Sequence, residues 1–230
     1  MLNIKNAPGF RRGVVGLSLI LGPVLILLGS LTQTGTEVEG AAYLDALAES
    51  PGATQLSTLL SYFGFVLLVP GIVGAVHVVR QRGVVLAHVA GAIALLGAIG
   101  IAALVFSTFY DLSIAENAPR APGVAVYDGV EGYPLAFLPA GLGFLGLPIG
   151  MVLLMVALWR GGIAPVWVWP VALVASFVLQ FELGGAKVGT SVGSLGLMVA
   201  FGYVGVRLLT MSDAEWERGA APGGRSPRVA

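Results

Sequence analysis

From Gly83 to Tyr110 the chain reads GVVLAHVAGAIALLGAIGIAALVFSTFY, with no Asp, Glu, Lys or Arg anywhere in the run. A helix that crosses the hydrocarbon of a bilayer needs about 20 mostly apolar residues, and this run exceeds that. A strand reading fails, because the run is too long and has no alternation of period two. It reads as a transmembrane helix, long enough to tilt or to leave the bilayer at its far end. Five more stretches of the same kind accompany it: Gly13–Leu31, Leu56–Val79, Pro134–Trp159, Ile163–Phe181 and Gly189–Leu209, none with a charge well inside its ends. The expectation is an all-α, polytopic bundle of six transmembrane helices over residues 13–209. A short segment, 1–12, precedes it and a tail, 210–230, follows.

Composition agrees. Of 230 residues 57% are hydrophobic and 10% charged, against about 45–50% and 25% in soluble domains. So little charge argues against a disordered chain and against nucleic-acid binding. The lack of Cys removes disulfides, thiolate metal sites, palmitoylation and cysteine nucleophiles. Arg11 and Arg12 ahead of the first span suggest a secretory signal. Its apolar region is longer than a signal core and no small-x-small site follows Leu31, so a retained helix is expected. The Met1-Leu2 start lacks the glycine that myristoylation requires.

The formal net charge is zero, but its halves fall on opposite sides of the spans. With both termini in the cytoplasm, the inner segments carry ten bases (among them Lys5, Arg80, Arg82, Arg160 and Arg207) against Asp213, Glu215 and Glu217, a balance of +7. The outer segments carry nine acids, including Glu37, Glu39, Asp45, Asp111 and Glu182, against Arg120 and Lys187, a balance of −7. Lys and Arg gather on the cytoplasmic side of membrane proteins. The expected topology is N-in, C-in, in a bacterial-type cytoplasmic membrane.

The connections differ by side. Arg80-Gln81-Arg82 and Arg160-Gly161-Gly162 are tight turns, which make antiparallel hairpins. Pro70 and Pro148 each stand twelve residues before the arginine of such a turn. The match suggests either duplicated hairpins or coincidence. Outside, Ala41–Ala48 is expected to form a short helix ended by Pro51-Gly52, and Asp111–Gly132 a loop broken at Pro119, Pro122 and Gly123 that folds over the bundle mouth. The loop after the fifth span turns at Gly184-Gly185. Past the last span, Ser212-Asp213-Ala214-Glu215 is a capping box, with Trp216 as an interfacial anchor. Gly219–Ala230 is expected to be disordered.

Membrane helices associate where small residues let backbones approach. Ala87, Gly91, Ala94, Ala98 and Ala102 line one face of the third span at helical spacing, and Gly146-x-x-x-Gly150 and Gly189-x-x-x-Gly193 offer similar faces. Pro23, Pro70, Pro148 and Pro170 predict kinks, and a kink can open a cavity.

Residues with catalytic or ligating potential are few. His77 and His88 stand at comparable depth near the inner surface, and a bis-imidazole haem is the sharpest reading of them. A tight hairpin holds its axes about 8–10 Å apart, which leaves little room for a porphyrin, so packing or hydrogen bonding is the expected role. Zinc needs three or four ligands that are not supplied nearby; no metal and no cofactor are expected. Gly189-Thr190-Ser191-Val192-Gly193 spells a nucleophile elbow, but that motif has meaning on a strand–turn–helix with a histidine in reach. Both histidines lie across the bilayer, so the match reads as coincidence and catalytic residues are not expected. At the outer helix ends Tyr110, Asp111, Glu182 and Lys187 form a candidate ligand-binding cluster, set against the simpler reading that they mark where helices reach water. Neither a phosphate-binding loop nor HExxH occurs, and the spans hold no midplane charge for ion-coupled transport.

The stretch Leu158-Trp159-Arg160-Gly161-Gly162-Ile163-Ala164-Pro165-Val166-Trp167 resembles the turn between helices four and five in a loose group of uncharacterised six-helix bacterial integral membrane proteins. The resemblance implies the six-span architecture and carries no activity. Three functions follow from the sequence. The first is a non-enzymatic structural or accessory membrane component, acting with a second copy or a partner membrane subunit in the lipid bilayer. The alternative is a small transporter or permease for an apolar or amphipathic solute. The weaker alternative is a haem or quinone redox protein using His77 and His88.

Overall fold

In the computed structural model, which describes residues 7–33, 40–181, 183 and 186–218, every element is helical. Among the described residues five segments are long and apolar enough to cross a membrane. They are α1 (Ala7–Thr32), α3 (Pro51–Val78), α4 (Val84–Asn117), the composite Pro134–Arg160 and α9, whose helix is Ala186–Thr210. The protein thus has the architecture of a multi-pass membrane protein. At 34 residues α4 is about 51 Å long at 1.5 Å per residue, well beyond a hydrocarbon core of about 30 Å.

The expected fifth span, Ile163–Phe181, takes a different form. Its helix, α8, covers only Val168–Gln180. Pro165 disfavours helical backbone just before it, and the chain turns back on α7 (Leu147–Arg160), where the amides of Ile163 and Ala164 bond the Leu158 carbonyl. Pro170 therefore stands in the first turn of α8, where a missing N–H costs nothing, and not at a mid-span kink. The Pro134–Arg160 segment is also irregular. A 3-10 turn leads into α6 (Phe137–Gly141), then a π segment (Leu142–Gly146), then α7. Pro148 is the second residue after that π segment, and the wider turn relieves the clash a proline makes with the preceding helical carbonyl. Pro70 by contrast sits inside an unbroken α3, so the two prolines of the suspected repeat occupy different local structures.

Two small helices gather at one end. One is α2 (Gly40–Glu49), which turns Leu44 and Leu47 inward. The other is α5 (Arg120–Asp128), which lies where a broken loop is expected. Pro122 is no breaker there, because it falls in the first turn, among the amides that lack intrahelical acceptors anyway. The expected loop residues Asp111–Asn117 continue α4 as helix. At the opposite end α10 (Asp213–Arg218) is capped as a capping box should be, the Glu215 amide bonding Ser212 Oγ at 3.2 Å and the Ser212 amide bonding Glu215 Oε2 at 2.8 Å. Its Trp216 is 4% exposed and packs into the core. Glu37, Glu39, Glu182, Gly184, Gly185 and the tail 219–230 lie outside the described residues.

Six helices close a ring in chain order: α1, α3, α4, α7, α8 and α9, with α9 packed back on α1. Glycines set the spacing between ring neighbours. A Cβ on Gly64 would lie 2.8 Å from the Gly22 carbonyl oxygen, between α3 and α1. One on Gly150 would lie 2.7 Å from Ala94 Cα, between α7 and α4, and one on Gly193 2.8 Å from the Ala175 carbonyl oxygen, between α9 and α8. The expected small face of α4 is buried throughout, from Ala87 to Ala102. The start of α1 and the start of α10 meet in an Arg12–Asp213 ion pair at 2.5 Å, so both described ends of the chain lie at one end of the ring.

Toward that end the ring centre is solid. Leu19, Ile72, Val78, Met155, Leu158 and Leu208 are fully buried in one cluster. Toward the α2/α5 end the packing is incomplete and a cavity remains.

Candidate functional site

The cavity has a volume of about 460 Å³ and every ring helix contributes to its wall. The contributions come from the half of each helix nearest α2: residues 23–30 of α1, 54–68 of α3, 101–108 of α4, 147–151 of α7, 176–180 of α8 and 190–201 of α9. Polar side chains enter the mostly apolar wall at two levels. Near the mouth are Gln33, Tyr43, Thr54, Thr108, Gln180 and Thr190. One or two helical turns deeper, Ser57, Thr58, Ser61, Ser176 and Ser194 make a band of hydroxyls. Deeper still, Ile26, Leu68, Met151, Leu197 and Phe201 form an apolar floor against the packed half of the ring.

Helical serines usually satisfy their hydroxyls on the preceding turn. Ser30 and Ser57 do so, donating to the carbonyls of Leu27 at 2.8 Å and Thr54 at 3.0 Å. Ser176 and Ser194 do not: both Oγ atoms are buried and have no hydrogen-bond partner among the described residues. The residues are 6% and 1% exposed. An unsatisfied buried hydroxyl costs about 1–3 kcal/mol. Ser191 and Trp169 hold the other two such atoms and do not line the cavity.

The mouth is roofed by α2. The Tyr43 hydroxyl donates to Asp111 Oδ2 at 3.3 Å and its ring lies 5.3 Å from that of Tyr127 in α5. Burial, and next the Asp111 carboxylate, push the Tyr43 phenol above its ordinary range, so it stays protonated at neutral pH. Arg120 of α5 reaches over α2 to the Ala41 carbonyl and the Asp45 carboxylate. Thr54 Oγ1 ties α3 to the end of α2 by donating to the Leu47 carbonyl at 3.3 Å.

Residues singled out in the sequence fall mostly elsewhere. Tyr110 is exposed on α4 and touches Phe106, and Lys187 is exposed at the start of α9; Asp111 alone of the described members of that cluster bears on the cavity, through Tyr43. His77 receives the Arg80 guanidinium at 2.9 Å and stacks on Trp216 with centroids 5.2 Å apart. The His88 ring is hydrogen-bonded to the Val84 carbonyl of its own helix at 2.8 Å. The two imidazoles thus engage different groups. Ser191 lies inside α9, on a helix and not on a strand-to-helix turn. Among the described residues no three His, Asp or Glu side chains are grouped to hold a metal ion. The hydroxyl band was not singled out, although Thr54, Thr58 and Ser61, with Thr190 and Ser194, repeat at three- and four-residue steps within apolar spans.

No family model, no curated protein and no solved structure matches the chain.

Proposed function

We propose that the chain is a six-span protein of a bacterial-type cytoplasmic membrane, with both termini inside, and that it binds and passes a small amphipathic solute through a cavity facing outward. The +7 and −7 halves of the charge support the orientation. The turn at Gly161–Trp167 followed by α8 supports a sixth crossing, because α8 runs from the Arg160 turn to Gln180 at the cavity mouth. The α2/α5 end is then the outer one.

The observation that carries the functional reading is the cavity itself. Its volume lies within the range of about 300–1,000 Å³ that ligand sites occupy, and it is apolar with a few converging polar groups, as such sites are. An accessory component whose ring served only to pack would have no use for two unsatisfied hydroxyls in a cavity wall. The floor is tightly packed, so passage requires the inner half of the ring to part; the π segment and Pro148, which line the wall in α6–α7, are the flexible joint available for it.

Native mass spectrometry of the full chain from mild detergent tests the binding step. The expected spectrum shows a small amphiphile retained on the protein and lost when Thr58→Trp fills the cavity. Equal retention by both proteins contradicts the reading.

A further inference from the structure

The cavity wall also specifies what kind of solute fits. None of the described residues that line it is Asp, Glu, Lys, Arg or His. An ion placed against those residues would lose its hydration and gain no counter-charge from them, a loss of several kcal/mol. A plain hydrocarbon fits no better, because it would leave Ser176 and Ser194 as they are, buried and unsatisfied. These two hydroxyls stand on facing helices. Ser194 lies between Gly193 and Gly196, the two glycines against which Ala175, the neighbour of Ser176, packs. Neither Oγ is reached by a water-sized probe as the side chains stand, so each serine turns about χ1 into the cavity to offer its donor and acceptor lone pairs to a ligand at that level of the wall.

Depth orders the rest of the ligand. The hydroxyl band lies between a polar mouth and the floor of Leu68, Met151, Leu197 and Phe201. At about 460 Å³ the cavity has the size of a small-ligand site, about 300–1,000 Å³. Resting on the binding reading above, we infer that the ligand is a small uncharged amphiphile. Its hydroxyl-bearing head, a glycerol or other small polyol, bonds Ser176 and Ser194. Its short apolar chain points to the floor.

The test uses the full chain in phosphatidylcholine nanodiscs and four probes with a ten-carbon chain: monodecanoylglycerol, decanoate, decylammonium and decane. Binding to the wild type is counted above binding to Thr58→Trp nanodiscs, which hold the same lipid but a filled cavity. Ser61→Trp serves as the filled form if Thr58→Trp loses the wild-type elution and circular dichroism. The expected result is saturable binding of the glycerol ester, with the two ions and the alkane about tenfold or more weaker. Ser176→Ala/Ser194→Ala should weaken the glycerol ester about tenfold, the combined effect of two ordinary hydrogen bonds, and leave decane unchanged. Equal binding of an ion or of decane, or no effect of the double substitution, overturns the neutral-head inference and leaves the binding reading standing. No probe bound above the filled form overturns the binding reading, and this inference with it.

Discussion

Removing the two unsatisfied hydroxyls should make the ligand-free protein more stable. Ser176 and Ser194 each bury an Oγ with no partner among the described residues, at a cost of about 1–3 kcal/mol apiece. Alanine is nearly isosteric with serine and has no group to desolvate, so Ser176→Ala/Ser194→Ala should gain at least about 2 kcal/mol at the lower bound of that range. Alanine is also the better helix former, by up to about 0.5 kcal/mol per site, and that part must be subtracted. Ser57→Ala provides the subtraction: its hydroxyl already bonds the Thr54 carbonyl, so the lost bond and the propensity gain nearly cancel. For a chain of 150–250 residues, about 1 kcal/mol moves Tm by about 2–4 °C. The double variant should therefore melt about 4–8 °C above the wild type, with Ser57→Ala within about 2 °C of it. The assay is thermal unfolding in one detergent, followed by circular dichroism. A double variant that melts below the wild type would show that both hydroxyls have partners, and the argument for a recognition pair would fall.

The ring spacing can be tested by Gly150→Leu, since a Cβ there meets Ala94 Cα at 2.7 Å and the Ala90 carbonyl oxygen at 2.8 Å, both backbone atoms that cannot swing aside. It should cost about 1–3 kcal/mol or more, read as a lower Tm or loss of a monodisperse elution peak, while Gly202→Ala, with nothing within 4 Å, should cost nothing. Tyr43 has a raised pKa in the fold, so the stability it contributes is complete below the free phenol value of about 10 and is lost as pH rises through the folded value. The wild type minus Tyr43→Phe difference at 295 nm should stay flat through pH 10; a phenolate rise centred near there contradicts the roofed mouth. Glu215 is shifted the other way, held down chiefly by the Ser212 amide and then its hydroxyl. Its cap is complete above the free carboxylate value of about 4.3 and is lost as pH falls through the folded value. The Trp216 contribution to emission, taken by difference with Trp216→Phe, should hold to about pH 5 and shift red in stronger acid, and Glu215→Gln should remove that acid step.

Much of the fold was legible because a bilayer leaves a helix few choices. Five of the six apolar stretches are helices of spanning length, and the small face of α4 is buried from Ala87 to Ala102. The capping box at Ser212–Glu215 was equally plain, since its two bonds join residues three apart. What escaped depended on backbone bonding or on tertiary placement. Hydropathy registers Ile163–Trp167 as apolar, but Pro165 shapes that segment into a turn and shortens α8. Pro122 and Gly123 look like breakers until their place in a first helical turn is known. Trp216 has the profile of an interfacial residue, and only the fold shows that His77 and the core receive it. The hydroxyl band was hardest of all. A serine on a membrane helix can satisfy itself on its own backbone, as Ser57 does, and nothing local distinguishes it from Ser194, which does not.

Because the chain has no Cys, single cysteines can be introduced without first removing any, and the outward-facing cavity can be probed in intact cells. Gln33→Cys stands exposed at the mouth, and Met155→Cys in the fully buried half of the ring. With a charged, membrane-impermeant thiol reagent added outside, Gln33→Cys should be labelled and Met155→Cys should remain unlabelled. Labelling of Gln33→Cys only when the reagent is supplied from the cytoplasmic side, or from neither side, contradicts a cavity that opens outward.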